Sequence, residues 1–319
     1  MKAAVVSRPD QPPVYGDFET PVAAFGEHSI AVTAAALSPL VRGRASGSHY
    51  SASGKFPFVA GVDGVGRLGD GRRVYFALPE APYGSMAERA VIPAAQCLPL
   101  PEDLDDVTAA AIANPGMSSW AAFKERAGLV AGETVLVNGA TGTAGRLAIQ
   151  IAKYLGARKV IATGRNPEAL RSLAALGADV VISLEMEAAT FEEAFREQFA
   201  QRVDVVIDYL WGQSAERLLT AAAAAAGDAV PIRYIQIGAI SGGGIHLPGA
   251  VLRSTAIELK GSGIGSVPPS RLLKAIEELL QATIPGRFAI ATQAVPLSTV
   301  EAAWNAKAGL HRTVFVNPR

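Results

Sequence analysis

Residues 135–150 read VLVNGATGTAGRLAIQ, and this stretch decides the fold. An apolar run ends at Asn138, a turn follows with Gly139, Gly142 and Gly145, and residues 146–155 carry apolar side chains at helical spacing. Strand, glycine turn and helix in succession are the build that sets a pyrophosphate on a helix N-terminus. In such a turn the first glycine permits the tight bend, the second lets the backbone approach the pyrophosphate, and the third lets helix and strand pack closely. Gly139 (or Ala140), Gly142 and Gly145 take those parts, with Thr141, Thr143 and Ala144 read as cofactor-binding beside them. The same spacing also fits a tight strand-to-helix turn that holds no ligand.

From Asn114 onward the chain alternates. The periodicity predicts helix 118–126, strand 134–138, helix 145–155, strand 160–163 and helix 167–176, then strand 180–183, helix 191–199, strand 203–208, helix 213–226 and strand 233–237. Alternating strands and helices with short loops specify a parallel, doubly wound α/β sheet. Helices 272–282 and 298–307 and a strand at 313–316 follow. Ahead of Asn114 the texture differs. Short β-type runs at 3–6, 29–35, 59–68, 73–76 and 86–92 lie between Gly and Pro breakers, with no amphipathic helix before residue 102. That pattern reads as an all-β barrel or sandwich segment. Residues 103–113 (DLDDVTAAAIA) read as a helix with acidic residues at its N-terminal end, where the dipole favours them.

The next strand ends in ATGRN, with Gly164 where an NAD-binding fold carries the acid that bonds the ribose 2′-OH, and Arg165 beside it. A missing carboxylate removes repulsion of a 2′-phosphate, and a guanidinium can grip that phosphate. NADP(H) is therefore favoured over NAD(H); a solvated arginine in an exposed turn is the other reading of Arg165. Further carboxyl-end loops, 209–212 with Tyr209, 238–244 with Gly238 and Ala239, and 261–266 with Gly263, are placed to wall the crevice. Their glycines fit close approach to a dinucleotide, and equally fit plain loops.

Composition narrows the rest. The chain has 319 residues, 29 Lys+Arg against 29 Asp+Glu, and half its residues are hydrophobic. Zero net charge argues against nucleic acid or an anionic membrane as main partner. The single cysteine, Cys97, can form neither an intrachain disulfide nor a thiolate zinc site, and His28, His49, His246 and His311 are scattered. The N-terminus, MKAAVVSRPD, lacks the apolar core of a secretory signal, and the longest apolar run falls short of a bilayer span of about 20 residues. A soluble cytoplasmic protein is the expectation.

These residues carry a resemblance to the zinc-independent quinone oxidoreductase branch of the medium-chain dehydrogenase/reductases. It runs nearly end to end, through AALSPLVRGRASG, KFPFVAGVDGVGRL, YGSMAERAVIPA, NPGMSSWAAF, LKGSGIGS and the closing HRTVFVNPR. The resemblance implies a GroES-like β domain over 1–113, a Rossmann NADP(H)-binding domain over 114–258, and a return to the first domain over 259–319. Where zinc-dependent cousins place a cysteine ligand and a His-Glu pair, this chain has Ser38–Pro39 and Val62–Asp63, so the resemblance implies a metal-free enzyme. It places Tyr50, at the family's spacing from Asp63, against the nicotinamide as catalytic residue, where the residues alone also fit a wall or surface tyrosine. Ser118 stands where relatives have a threonine near the nicotinamide, or caps a helix.

The implied activity is hydride transfer from NADPH to a quinone or an α,β-unsaturated carbonyl, with a small-molecule substrate as partner. Self-association as a homodimer through the Rossmann sheet edge, at 233–237 and on to Leu252, is implied as well. The chain departs from the pattern at Ser38–Pro39–Leu40–Val41 (relatives read Asn-Pro-x-Asp) and at Ala45, which replaces an arginine with Arg44 next to it. Ala169 stands near a common lysine and Thr143 replaces a common glycine. The first two departures leave room for a second reading, a non-catalytic NADPH-binding sensor or scaffold.

Overall fold

The structure, a computed structural model, describes residues 1–9, 11–49, 52, 54–306 and 311–318. The chain divides into two compact units, Met1–Asn114 with Glu277–Arg319, and Pro115–Ile276.

The first unit opens with β1 (Lys2–Val6), β2 (Val14–Asp17) and β3 (Glu27–Ala36). A short helix α1 (Pro39–Ala45) follows, where the sequence reading expected none before residue 102. Its start has a local cause: the Ser38 hydroxyl accepts from Val41 N at 3.1 Å, and Pro39 supplies a fixed φ at the first helical position. Then come β4 (Phe58–Val59), β5 (Asp63–Arg67), β6 (Arg73–Ala77), β7 (Arg89–Pro93) and β8 (Cys97–Pro99). The expected single run at 59–68 is thus two strands, split at Gly61, which has a φ of +104°. Helix α2 (Asp106–Ala121) starts where Asp106 accepts from Thr33 Oγ1 (2.7 Å) and Arg73 Nε (2.9 Å), tying its first turn to β3 and β6.

The second unit carries β9 (Thr134–Asn138), α3 (Thr143–Tyr154), β10 (Lys159–Gly164), α4 (Pro167–Arg171), β11 (Val180–Ser183), α5 (Ala188–Gln201) and β12 (Val205–Asp208). It continues with α6 (Gly212–Ala225), β13 (Pro231–Gln236), α7 (Gly249–Arg253) and β14 (Ala256–Gly261). Helix α8 (Pro269–Thr283) leads back to the first unit, which ends with β15 (Thr292–Pro296), α9 (Val300–Trp304) and β16 (Arg312–Val316).

Among the described residues the second unit's sheet has six parallel strands in the order β11-β10-β9-β12-β13-β14. This is a Rossmann sheet: the chain steps outward from β9, returns to β12 and steps outward the other way. With right-handed crossovers, that reversal puts helices on opposite faces and opens a crevice where the order turns, beyond the carboxyl ends of β9 and β12. Strand β9 (TVLVN) is buried at every position, as a central parallel strand covered on both faces must be. Leu136, Ile161 and Val206 of the sheet pack with Phe191, Phe195, Leu218 and Leu219 of α5 and α6.

In the first unit, β15-β16-β3-β5-β6-β8 with β7 on β3, and a small sheet β2-β1-β4, form the GroES-like β domain. Its core gathers Val6, Ala35, Leu37, Val41, Met86, Val300, Trp304 and Phe315, from both ends of the chain.

Three expectations change. The helices expected at 103–113 and 118–126 are continuous, as α2 runs through Pro115 into a π-helical turn at Ala122–Ala127. Residues 259–276, expected to belong to the returning segment, stay with the second unit, because β14 completes the parallel sheet. The expected dimer edge at 233–237 is covered: β13 lies between β12 and β14, so β14 is the sheet edge.

Candidate functional site: a dinucleotide crevice

The turn after β9 is built on its glycines. Gly139 adopts a φ of +88°, and a Cβ there would lie 2.8 Å from the Leu210 side chain. A Cβ on Gly145 would sit 2.4 Å from Gly139 O and 2.6 Å from Ala140 Cα, so only glycine lets α3 lie this close to the turn. Gly142 is the N-cap of α3 and has no side-chain cap. A Cβ on Gly142 would meet only Gly139 O at 3.9 Å, so this backbone is open. The first N–H groups of α3, from Thr143, Ala144 and Gly145, therefore point outward with the positive end of the helix dipole. An open, uncapped twelve-residue helix behind a glycine turn fits a pyrophosphate.

Gly164 closes β10 against Thr141, whose Cγ2 would lie 2.4 Å from any Cβ at that position. Arg165 follows, exposed, and among the described residues it makes no hydrogen bond or ion pair. Gly238, after β13, approaches Tyr209 so closely that a Cβ would fall 2.5 Å from Tyr209 O. Ala239 is exposed beside it, and Gly263 follows β14 with its N–H donated to Ser266 Oγ at 2.8 Å. The turn after β9 thus meets the end of β10 at Thr141 and Gly164, and the loops after β12 and β13 meet at Tyr209 and Gly238.

Two residues expected at the cofactor spend their hydroxyls elsewhere. Tyr209 is buried and its OH lies 2.7 Å from Ser119 Oγ. Burial pushes its phenol up to about 12, so it stays neutral. Ser119 Oγ also lies 3.3 Å from Ala144 O and 3.4 Å from Pro115 O, which links that pair to the first turn of α3. Ser118 caps no helix: it sits inside α2 and donates back to Pro115 O at 2.7 Å. Tyr50, the expected catalytic residue, lies outside the described residues.

A buried network that sequence reasoning missed holds the crevice loops in register. Asp208 Oδ1 accepts from Asn138 Nδ2 (2.8 Å), Leu210 N (2.8 Å) and Trp211 N (3.1 Å), and Oδ2 accepts from Tyr234 OH (2.7 Å). Asn138 Oδ1 in turn accepts from Thr163 Oγ1 at 2.7 Å, and Thr163 Oγ1 accepts from Gly139 N at 3.2 Å. The glycine turn and the loop after β12 are thus fixed to one carboxylate. Burial pushes that carboxyl upward, while the bonds from Tyr234, Leu210, Trp211 and Asn138 pull it back.

The first unit has its own buried acid. Asp63, in the GVDGVG segment, accepts from Tyr75 OH at 2.8 Å, and Arg312 lies near enough to stabilise its charge. Burial dominates and pushes the carboxyl up to about 6. Below about pH 4 the folded and unfolded chains both hold Asp63 protonated; above about pH 6 the fold must carry a buried charge, which costs it about 3 kcal/mol. Asp63→Asn removes that dependence. Urea unfolding should show the variant gaining on the parent chain as pH rises from about 4 to about 7; a constant difference would contradict the burial. Cys97, half-buried, has its thiol pushed up to about 11 by burial, which makes it a poor nucleophile or metal ligand at neutral pH. Among the described residues no three His, Cys, Asp or Glu side chains cluster as metal ligands, and no helix is long and apolar enough to cross a membrane.

Known proteins resemble this chain in sequence and fold. Residues 144–281 match the family described as zinc-binding dehydrogenase. The chain is 29% identical to a probable NADPH-dependent quinone reductase, tdiC, of Emericella nidulans, over 95% of this chain and 96% of that one. The quinone oxidoreductase of Thermus thermophilus, solved also as its complex with NADPH, superposes with a TM-score of 0.82 at 27% identity, covering 99% of this chain and 100% of that one. Along its full length the chain is similar to quinone reductases of the medium-chain dehydrogenase/reductase kind. Prostaglandin reductase-3 of Bos taurus is 31% identical over 62% of this chain, and the match spans about half, 51%, of that longer relative. The zinc-binding dehydrogenase match falls almost wholly in the nucleotide-binding unit, away from Ser38 and Val62–Asp63.

Proposed function

We propose that this reductase is an NADPH-dependent, zinc-independent enzyme that transfers a hydride to a quinone or to an α,β-unsaturated carbonyl. The observation that carries the reading is the open, uncapped start of α3 behind Gly139 and Gly145, with an unpaired Arg165 at the end of the neighbouring strand. Two relatives matched over nearly their full length support it, one named a probable NADPH-dependent quinone reductase and the other a quinone oxidoreductase solved with NADPH.

When bound, NADPH supplies the hydride for an electron-poor carbon of the acceptor. The N–H groups of Thr143, Ala144 and Gly145 hold the pyrophosphate, and Arg165 grips the 2′-phosphate. The Tyr209–Ser119 pair keeps α2 and α3 in register behind the crevice. Charge developing on the acceptor oxygen is carried by hydrogen-bond donors, Tyr50 among them by resemblance, rather than by a metal. The donor set supports that: the only thiol is the weakly acidic Cys97, and serine and valine stand at the family's zinc-ligand positions.

Arg165→Ala should weaken NADPH by about 10- to 100-fold, the loss of a charge-assisted contact, and leave NADH within about 3-fold in fluorescence titrations. Equal losses for both nucleotides would overturn the 2′-phosphate assignment. We further propose a cytoplasmic homodimer paired through β14, where Glu258 and Leu259 are exposed on an edge strand that offers unpaired backbone groups. Light scattering should return twice the chain mass, and Leu259→Lys, which introduces a charge at the edge, should return one; a single-chain mass for the parent protein would contradict the pairing.

A further inference from the structure

We propose that Arg217, on α6, is a second guanidinium for the cofactor's 2′-phosphate and sets NADP(H) preference together with Arg165. The inference rests on the NADP(H) reading above and adds a residue from a different element to it.

A cavity of about 440 Å³ lies in the second unit, lined by Arg165, Glu185, Gln213, Ser214, Arg217 and Ile240 among others. Gln213 and Arg217 are four residues apart on α6 and so share one face. The Arg217 guanidinium stacks over the Phe191 ring, 4.9 Å from its centroid. Phe191 is buried and packs on Phe195 with ring centroids 4.5 Å apart, so the platform is rigid. Stacking occupies one flat face of the guanidinium and leaves its N–H edge free. The side chain is thus held in place before any ligand arrives, which lowers the entropy lost on binding.

Among the described residues, neither Arg165 nor Arg217 has an ion-pair partner. Two unpaired cations beside one cavity, against the single carboxylate of Glu185, favour a compact dianion that accepts in a forked geometry, as a phosphate monoester does. The cavity begins at Arg165, directly after Gly164, where this fold reads the ribose. The pyrophosphate has its own place at α3, so the phosphate left for this cavity is the one on the ribose. Glu185 suits a hydroxyl or amino donor of the same nucleoside.

Calorimetric titration with 2′,5′-ADP and 5′-AMP tests this without turnover. Arg217→Met keeps an unbranched apolar stem over Phe191 and removes the charge; it should weaken 2′,5′-ADP by about 10- to 100-fold and leave 5′-AMP within about 3-fold. Arg217→Lys should recover part of the loss, and adding Arg165→Ala to Arg217→Met should erase the preference. Equal losses for both ligands, or no loss for either, would overturn the role of Arg217 while a parent preference for 2′,5′-ADP leaves the NADP(H) reading standing. A parent protein that binds both ligands equally would overturn both.

Discussion

Gly145→Val should all but abolish NADPH binding, with a loss of affinity greater than about 100-fold, and should lower the stability of the nucleotide-binding unit by about 1–3 kcal/mol or more. The reason is that the atoms a new side chain would meet are all backbone. A Cβ would stand 2.4 Å from Gly139 O, 2.6 Å from Ala140 Cα and 3.0 Å from Ala140 C. None of these can rotate away, so α3 must move off the turn, and its first N–H groups move with it. Gly142→Ala separates the two effects. Its backbone φ of −76° suits any residue, and the added methyl would meet only Gly139 O, at an ordinary contact distance of 3.9 Å. The fold should hold to within about 0.5 kcal/mol while NADPH binding weakens, because the methyl occupies ground the pyrophosphate needs. Nucleotide titration and thermal unfolding of both variants give the answer. A Gly145→Val protein that binds NADPH like the parent would show that α3 is not the phosphate site.

Asp208→Ala should destabilise the same unit by about 3–5 kcal/mol, a large share of the stability of an ordinary domain. The carboxylate is fully buried and accepts from Asn138, Leu210, Trp211 and Tyr234. Truncation takes the carboxylate from Leu210 N, Trp211 N and Tyr234 OH at once, and leaves Asn138 Nδ2 only its bond to Ser214 Oγ at 3.0 Å. Because Leu210 packs on Gly139 and Thr163 bonds Gly139 N, the glycine turn should loosen as well. NADPH affinity should then fall together with stability. Asp208→Asn keeps an acceptor oxygen for the two backbone amides, and should cost only about 1–2 kcal/mol. Urea unfolding followed by tryptophan emission would read both, since Trp120 and Trp211 lie in this unit. An alanine variant as stable as the parent would mean the crevice loops are held by other contacts.

The parts of this fold that the sequence carries openly are those decided by local pattern. Strand β9 reads as an unbroken apolar run because both its faces are covered, and the glycine turn reads as itself because steric exclusion leaves no other residue type. Strand β14 (AIELKG) escaped notice because an edge strand mixes charged and apolar residues and exposes half of them. Separate helices are expected at 103–113 and 118–126, yet α2 runs unbroken through Pro115 between them. Ala109–Ala113 are completely buried, and that packing outweighs the backbone hydrogen bond proline cannot make. Asn138 and Asp208 carried a signal that could have been used: each is a polar residue closing a fully buried strand, where it must find partners or cost the fold dearly. Arg217 carried none, because its placement depends on α5 bringing Phe191 beneath it.

The central claim, that NADPH bound at the α3 turn passes a hydride to an enone or quinone without zinc, is tested most directly by isotope. The chelator-treated protein would be given NADPH deuterated at the transferable C4 position together with a small enone. Deuterium at the β-carbon of the reduced product, at a rate unchanged by added zinc, is the result expected. Product only when zinc is restored, label lost to water, or no product from either an enone or a quinone panel would contradict it.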